Sequence, residues 1–133
     1  YGSGKQMFTV ANCVACHSGP AFTDVNSFGL HLASASVALD KNYIKFSATK
    51  QWRTSPLKGV WQHPPYFHDG SGALNRATGK CLDGSDIGSL ASSTDRVRKD
   101  LACVVNRYND PREHNLGLTD AQRADLVEYL KSL

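Results

Sequence analysis

The stretch that decides the fold is Cys13-Val14-Ala15-Cys16-His17, in which two cysteines stand three positions apart and a histidine follows directly. Thioredoxin-like redox motifs share this cysteine spacing, but they sit in a βαβ context that this sequence does not have. Structural zinc sites share it too, but they need two further ligands at a matching spacing. The two remaining cysteines, Cys81 and Cys103, do not form such a pair. Both interpretations are therefore disfavoured.

A Cys-x-x-Cys-His run is the attachment signature of a c-type haem, and we predict one covalent haem on this chain. On one helical turn, the sulfurs of Cys13 and Cys16 can reach the two vinyl groups of a single porphyrin and form thioethers. His17 can then turn beneath the porphyrin and coordinate the iron through an imidazole nitrogen. These three residues are the predicted attachment and axial-ligand set of a cytochrome c-type domain.

Haem of this type is attached outside the cytoplasm, where disulfides also form. Cys81 and Cys103 are surplus to attachment, so we predict a disulfide between them that closes a loop of about 20 residues; two buried free thiols are the alternative. The first residues, Tyr1 to Lys5, lack the basic and apolar regions of a signal peptide. We therefore expect a mature periplasmic or extracellular protein.

Length and composition exclude several classes of protein. The chain has 133 residues, 41% of them hydrophobic, which suits one globular domain over residues 1–133. Fifteen Lys and Arg against 12 Asp and Glu give a net charge of +3, and they are scattered, so nucleic acid is not an expected partner. No run of about 18 apolar residues is present, so no transmembrane segment is expected.

Hydrophobic periodicity predicts an all-α domain of three or more helices, with long loops around the haem. The first helix begins at about Ser3. Another covers about Thr94 to Tyr108, where apolar residues fall on one face. The last helix begins after Thr119, which forms a capping box with Gln122. The segment between the first two is rich in Gly, Ser, Pro and Asn and is predicted to form loops.

This helix pattern resembles the cytochrome c fold, in which the first and last helices cross near the haem edge. The resemblance implies that Gly4 and Phe8 meet Tyr129, because a residue without a side chain permits a close approach at the crossing. Ordinary helix packing would use the same residues.

Residues 51–72 carry a more specific resemblance. They include the runs Trp52-Arg53-Thr54-Ser55-Pro56-Leu57 and Pro65-Tyr66-Phe67-His68-Asp69-Gly70. Together with the last helix, these runs resemble the C-terminal haem domain of the bacterial di-haem cytochrome c peroxidase and MauG-like family. Residues 73–100, which include Cys81, then form an insertion at a place where that family is shorter.

Two departures from that family bear on function. Its complete peroxidases have two haem domains and two Cys-x-x-Cys-His motifs, whereas this sequence has one. The resemblance implies that the matched domain passes electrons, while peroxide is reduced at the haem of the other domain. The family's calcium site uses a loop before the Phe67-His68 run, and His63 stands where a Thr is expected, which argues against calcium.

The second axial ligand decides between electron transfer and peroxide chemistry. An iron with six ligands changes its geometry little when it gains or loses an electron, which favours electron transfer. An open coordination position instead lets peroxide bind. Met is the usual ligand, but the single Met lies on the helix that leads into the attachment motif. His114, in the loop before the last helix, is preferred. His68, Tyr108 and an open or water-bound position are the alternatives. His31 and His63 are assigned to surface loops.

Three residues are predicted to contact the haem in other ways. His68 supplies polarity beside the porphyrin if it is not a ligand. Tyr108 lies in a Val-Val-x-x-Tyr context that MauG-like domains use for a ligand, or it completes the apolar stripe of its helix. Arg53 pairs with a haem propionate, with a solvated surface position as the equal alternative.

The sequence thus favours a mono-haem c-type cytochrome that transfers electrons outside the cytoplasm and exchanges them with redox partner proteins. One alternative is a haem domain or subunit of a di-haem peroxidase or oxygenase. The other is a building unit of an assembly in which haems stack. The modest positive charge indicates only that an acidic patch on a partner would be tolerated.

Overall fold

The computed structural model describes residues 2–24, 30–32, 45–68, 70–82 and 96–133. Within these ranges, three α-helices and two short antiparallel sheets alternate with loops. The elements are α1 (Gly2–Val10), β1 (Leu30–Leu32), β2 (Gln51–Arg53), β3 (Ala73–Asn75), β4 (Val97–Lys99), α2 (Leu101–Asn109) and α3 (Asp120–Lys131). Among the described residues, no helix is long and apolar enough to cross a bilayer.

The first and last helices cross as predicted. The Thr119 hydroxyl accepts from the Gln122 N–H, and the Gln122 side chain accepts from the Thr119 N–H, which confirms the capping box that starts α3. At the crossing, a Cβ on Gly4 would lie 2.6 Å from the Cβ of Tyr129, so only glycine fits. The rings of Phe8 and Tyr129 meet edge to face at 5.5 Å between centroids.

The main core lies where the three helices meet. Its buried members are Met7, Phe8, Leu101, Val105, Leu118, Leu126, Val127, Tyr129 and Leu130. Full burial of one such side chain contributes about 1.5–3 kcal/mol. This core holds α1 in place, and the attachment motif follows α1 directly.

The all-α prediction is right for the helices but incomplete, because two small sheets are present. The helix predicted from Thr94 to Tyr108 is wrong at its start. Residues 97–99 form β4, which pairs antiparallel with β3, and α2 begins only at Leu101. The Asp100 side chain caps α2 by accepting from the Ala102 N–H. Thr94 itself lies outside the described residues.

The predicted disulfide between Cys81 and Cys103 is confirmed. It joins the end of the β3 hairpin region to α2, beside a second small core cluster of Ala73, Leu82 and Val97. Cys81, β3, β4 and this cluster fall within the stretch 73–100 that is expected to be an insertion, whereas α2 with Cys103 follows it. Residues 83–95 of that stretch lie outside the described part of the chain.

Candidate functional site

The attachment motif forms a tight turn immediately after α1. Asn12 adopts a left-handed backbone with φ of 57°, which Asn tolerates better than most residues, and this ends the helix. A 3-10 turn over Cys13–Ala15 follows, and the His17 N–H donates to the Cys13 carbonyl at 2.8 Å. Cys13 and Cys16 are both free thiols. Two thiols and an imidazole are thus held on one turn of backbone.

The ring of His17 is oriented by a main-chain acceptor. Its Nδ1 lies 3.0 Å from the carbonyl oxygen of Phe22, so Nδ1 carries the proton and the lone pair falls on Nε2. Burial lowers the pKa of His17, which favours the neutral imidazole that a metal ion requires. The backbone contact and burial thus both favour a neutral His17 ring that carries its proton on Nδ1.

The two thiols lack the character of a redox or catalytic nucleophile. Burial raises the pKa of Cys13 to about 11 and also raises the pKa of Cys16. Reactive cysteines have lowered pKa values, because the thiolate is the nucleophile. The geometry and the pKa values of the pair thus fit attachment of a cofactor better than thiol chemistry.

A cavity of about 310 Å³ opens beside His17. Its lining residues come from the attachment turn, β2 and the loop after it, the Phe67-His68 run, and α2: Cys16, His17, His31, Trp52, Arg53, Thr54, Ser55, Phe67, His68, Val104 and Tyr108. Of the residues predicted for the site, this cavity brings together Cys16, His17, Arg53, His68 and Tyr108. Segments far apart in sequence thus share one wall.

Aromatic rings form much of that wall. Trp52 and His68 stack with 3.7 Å between ring centroids, and the planes are inclined by 21°. Phe67 and Tyr108 lie 6.0 Å apart. The Nε1 of Trp52 is buried and has no hydrogen-bond partner among the described residues. The wall therefore offers flat apolar surface together with one buried donor.

Two predicted residues lie outside the cavity lining. Cys13 packs against the main core. His114 is exposed, and its ring stacks on Tyr108 at 5.2 Å between centroids. His114 is thus separated from the lining by one aromatic ring, and its role as a ligand stays a prediction.

His31 was assigned to a surface loop, but it lies on β1 opposite Trp52 and lines the cavity. Its Nε2 is 2.6 Å from Oδ2 of Asp24, and its Nδ1 is 4.0 Å from Sγ of Cys16. Burial alone would raise the pKa of Asp24, but interactions with His31 and Thr54 outweigh it and lower this pKa. Sequence reasoning missed this hydrogen-bonded pair, because no local pattern marks it.

These residues fit a covalently attached haem. The free thiol-bearing Cys16 and the adjacent His17 line a cavity walled by flat rings. Donors for the two carboxylates of the porphyrin are present in the buried Trp52 N–H and in Arg53, whose guanidinium suits a carboxylate. The unpartnered Trp52 N–H is the observation that most calls for an absent acceptor.

Comparison with known proteins gives one finding. The cytochrome c family model matches residues 2–133. No curated protein and no solved structure matches the chain.

Proposed function

The chain belongs to the cytochrome c family, and we propose that it is a mono-haem electron carrier that works outside the cytoplasm. The observation that carries the proposal is His17, whose Nδ1 is engaged by Phe22 so that Nε2 is the ligand nitrogen. Covalent attachment through Cys13 and Cys16 and the Cys81–Cys103 disulfide both suit an oxidising, extracytoplasmic compartment.

Each side chain has a defined part in this proposal. Cys13 and Cys16 would hold the haem through two thioethers, each made by addition of an S–H across a vinyl group without oxidation. His17 would hold the iron through Nε2. Trp52 and Arg53 would hold the propionates by hydrogen bonds. When bound, the haem supplies a one-electron Fe(III)/Fe(II) couple.

We propose that the second axial ligand comes from the cavity wall and that it is His68. Besides His17, the ligand-type side chains in the lining are His31, His68 and Tyr108. His31 is engaged with Asp24 beside the attachment turn. A phenol must lose its proton to ligate iron, whereas a neutral imidazole binds through a lone pair that it already offers. His114, preferred on sequence alone, does not line the cavity and lies behind Tyr108, on which it stacks.

Electron paramagnetic resonance and near-infrared spectra of the oxidised holoprotein test this ligand set. We expect a low-spin iron in the wild type, loss of the low-spin signal in His68→Ala, and its retention in His114→Ala and Tyr108→Phe. The reverse result for the two histidine variants would transfer the ligand to His114 and leave the electron-carrier proposal standing.

The second candidate function is a haem domain of a larger di-haem peroxidase or oxygenase. It is supported by the Phe67-His68 run, which resembles that family and lines the cavity. Stopped-flow mixing of the reduced protein with peroxide tests the first proposal. Slow reaction is expected of a six-coordinate electron carrier, whereas rapid turnover by the isolated chain would overturn that proposal. A second Cys-x-x-Cys-His motif encoded upstream of this chain would instead support the di-haem candidate.

A further inference from the structure

We propose that Asp24 and His31 set the reduction potential of this protein, by holding a buried negative charge against the attachment turn and thereby lowering that potential. The inference rests on the proposed function, because it requires a haem held by Cys16 and His17. It adds a role for two residues that the attachment motif does not contain.

The contacts place the pair at the edge of the attachment turn. Asp24 Oδ2 lies 2.6 Å from His31 Nε2, and His31 Nδ1 lies 4.0 Å from Cys16 Sγ. The ligand atoms of these three residues are all within 4.8 Å of one another. The sulfur that is to carry a thioether is therefore in contact with this hydrogen-bonded pair.

Burial keeps the charge effective. The side chain of Asp24 is only 8% exposed, and its Oδ1 is buried without a hydrogen-bond partner in the described part of the chain. Among the described residues, Asp24 is hydrogen-bonded to His31 and forms no ion pair with any Lys or Arg. A carboxylate that water and permanent cations do not compensate acts more strongly on nearby charges than one at the surface.

The sign of the effect follows from charge. Ferric iron carries one more positive charge than ferrous iron, so a fixed carboxylate nearby stabilises the oxidised form more than the reduced form. Removal of that carboxylate makes gain of an electron easier and raises the midpoint potential. His31 positions the carboxylate, because its ring lies between Asp24 and the sulfur of Cys16.

Spectroelectrochemical titration of the holoprotein gives the test. Asp24→Asn replaces the carboxylate by an amide of the same shape, and we expect a rise in midpoint potential. Asp125→Asn, which removes an exposed carboxylate on α3, is the matched control and should leave the potential near that of the wild type. His31→Lys places a permanent cation beside Asp24 and should also raise the potential, which keeps the test sound if Asp24→Asn fails to fold.

Haem content and the oxidised spectrum of each variant are measured alongside. If Asp24→Asn and His31→Lys retain their haem and titrate with the wild-type potential, the inference is overturned. If the wild type itself holds no covalent haem or shows no reversible reduction, the failure belongs to the proposed function instead.

Discussion

Trp52 stacks the face of its ring on His68, yet its Nε1 is buried and unpartnered in the described structure. Such a buried donor costs about 1–3 kcal/mol when it lacks an acceptor. The neighbouring Arg53 also lines the cavity. A buried, unpartnered donor in the cavity lining is reasonable for a protein that receives a carboxylate there, and costly for one that does not.

Trp52→Phe tests this interpretation, because it keeps an aromatic ring against His68 and removes only the N–H. If the N–H meets a propionate, the free energy of unfolding of the holoprotein should fall by about 1–2 kcal/mol in urea titrations. Trp61→Phe, at a side chain that is 52% exposed, should change it by less than about 0.5 kcal/mol. An unchanged or more stable Trp52→Phe would show that the donor has no partner in the holoprotein.

At this scale, sequence predicted the residues that a short local motif contains. Cys13, Cys16 and His17 were assigned from their spacing alone. Asp24 and His31 could not be, because their placement depends on the pairing of β1 with β2, whose residues lie about 20 positions apart. A strand of three residues shows no usable periodicity.

At the scale of elements, the same division between local and long-range causes appears. The start of α3 could be predicted, because a capping box involves only four consecutive residues, here from Thr119 to Gln122. The start of α2 was not. Val97 satisfies the apolar spacing of a helix, but its pairing with Asn75 on β3 places it in a strand, and only Asp100 then caps the helix.

The crossing of α1 and α3 gives an element-scale prediction. Gly4→Ala would drive a Cβ into Tyr129 and the Asp125 carbonyl, so α1 must move away, and we expect a loss of about 1–3 kcal/mol in unfolding free energy. Gly2→Ala is the control on the same helix, since nothing lies within 4 Å of its new Cβ. Urea unfolding of both holoproteins provides the comparison. Equal stability of the two variants would contradict the close crossing.

At the scale of the whole molecule, the described apolar core is divided. Nine buried residues form the cluster among the helices, and only Ala73, Leu82 and Val97 form the second. Burial of a large apolar side chain contributes about 1.5–3 kcal/mol to the free energy of folding. Ordering the backbone of each residue costs about 1–2 kcal/mol, so the three side chains of the second cluster cannot offset the ordering of the residues around them. Covalent links therefore supplement packing here: the disulfide near the second cluster and the proposed thioethers beside the cavity.

The contribution of the disulfide can be measured on its own. Replacement of both Cys81 and Cys103 by Ser removes the cross-link between residues 22 positions apart, so the unfolded chain gains conformational entropy. We expect the free energy of unfolding to fall by about 3 kcal/mol. The loss should appear first as faster amide exchange in β3 and β4. The hydrogen bond of 2.7 Å from the Arg107 guanidinium to the Leu82 carbonyl would still connect this region to α2. The haem spectrum should persist, because Cys13, Cys16 and His17 lie on another segment. A loss below about 1 kcal/mol, or equal deprotection of α1 and α3, would contradict this assignment.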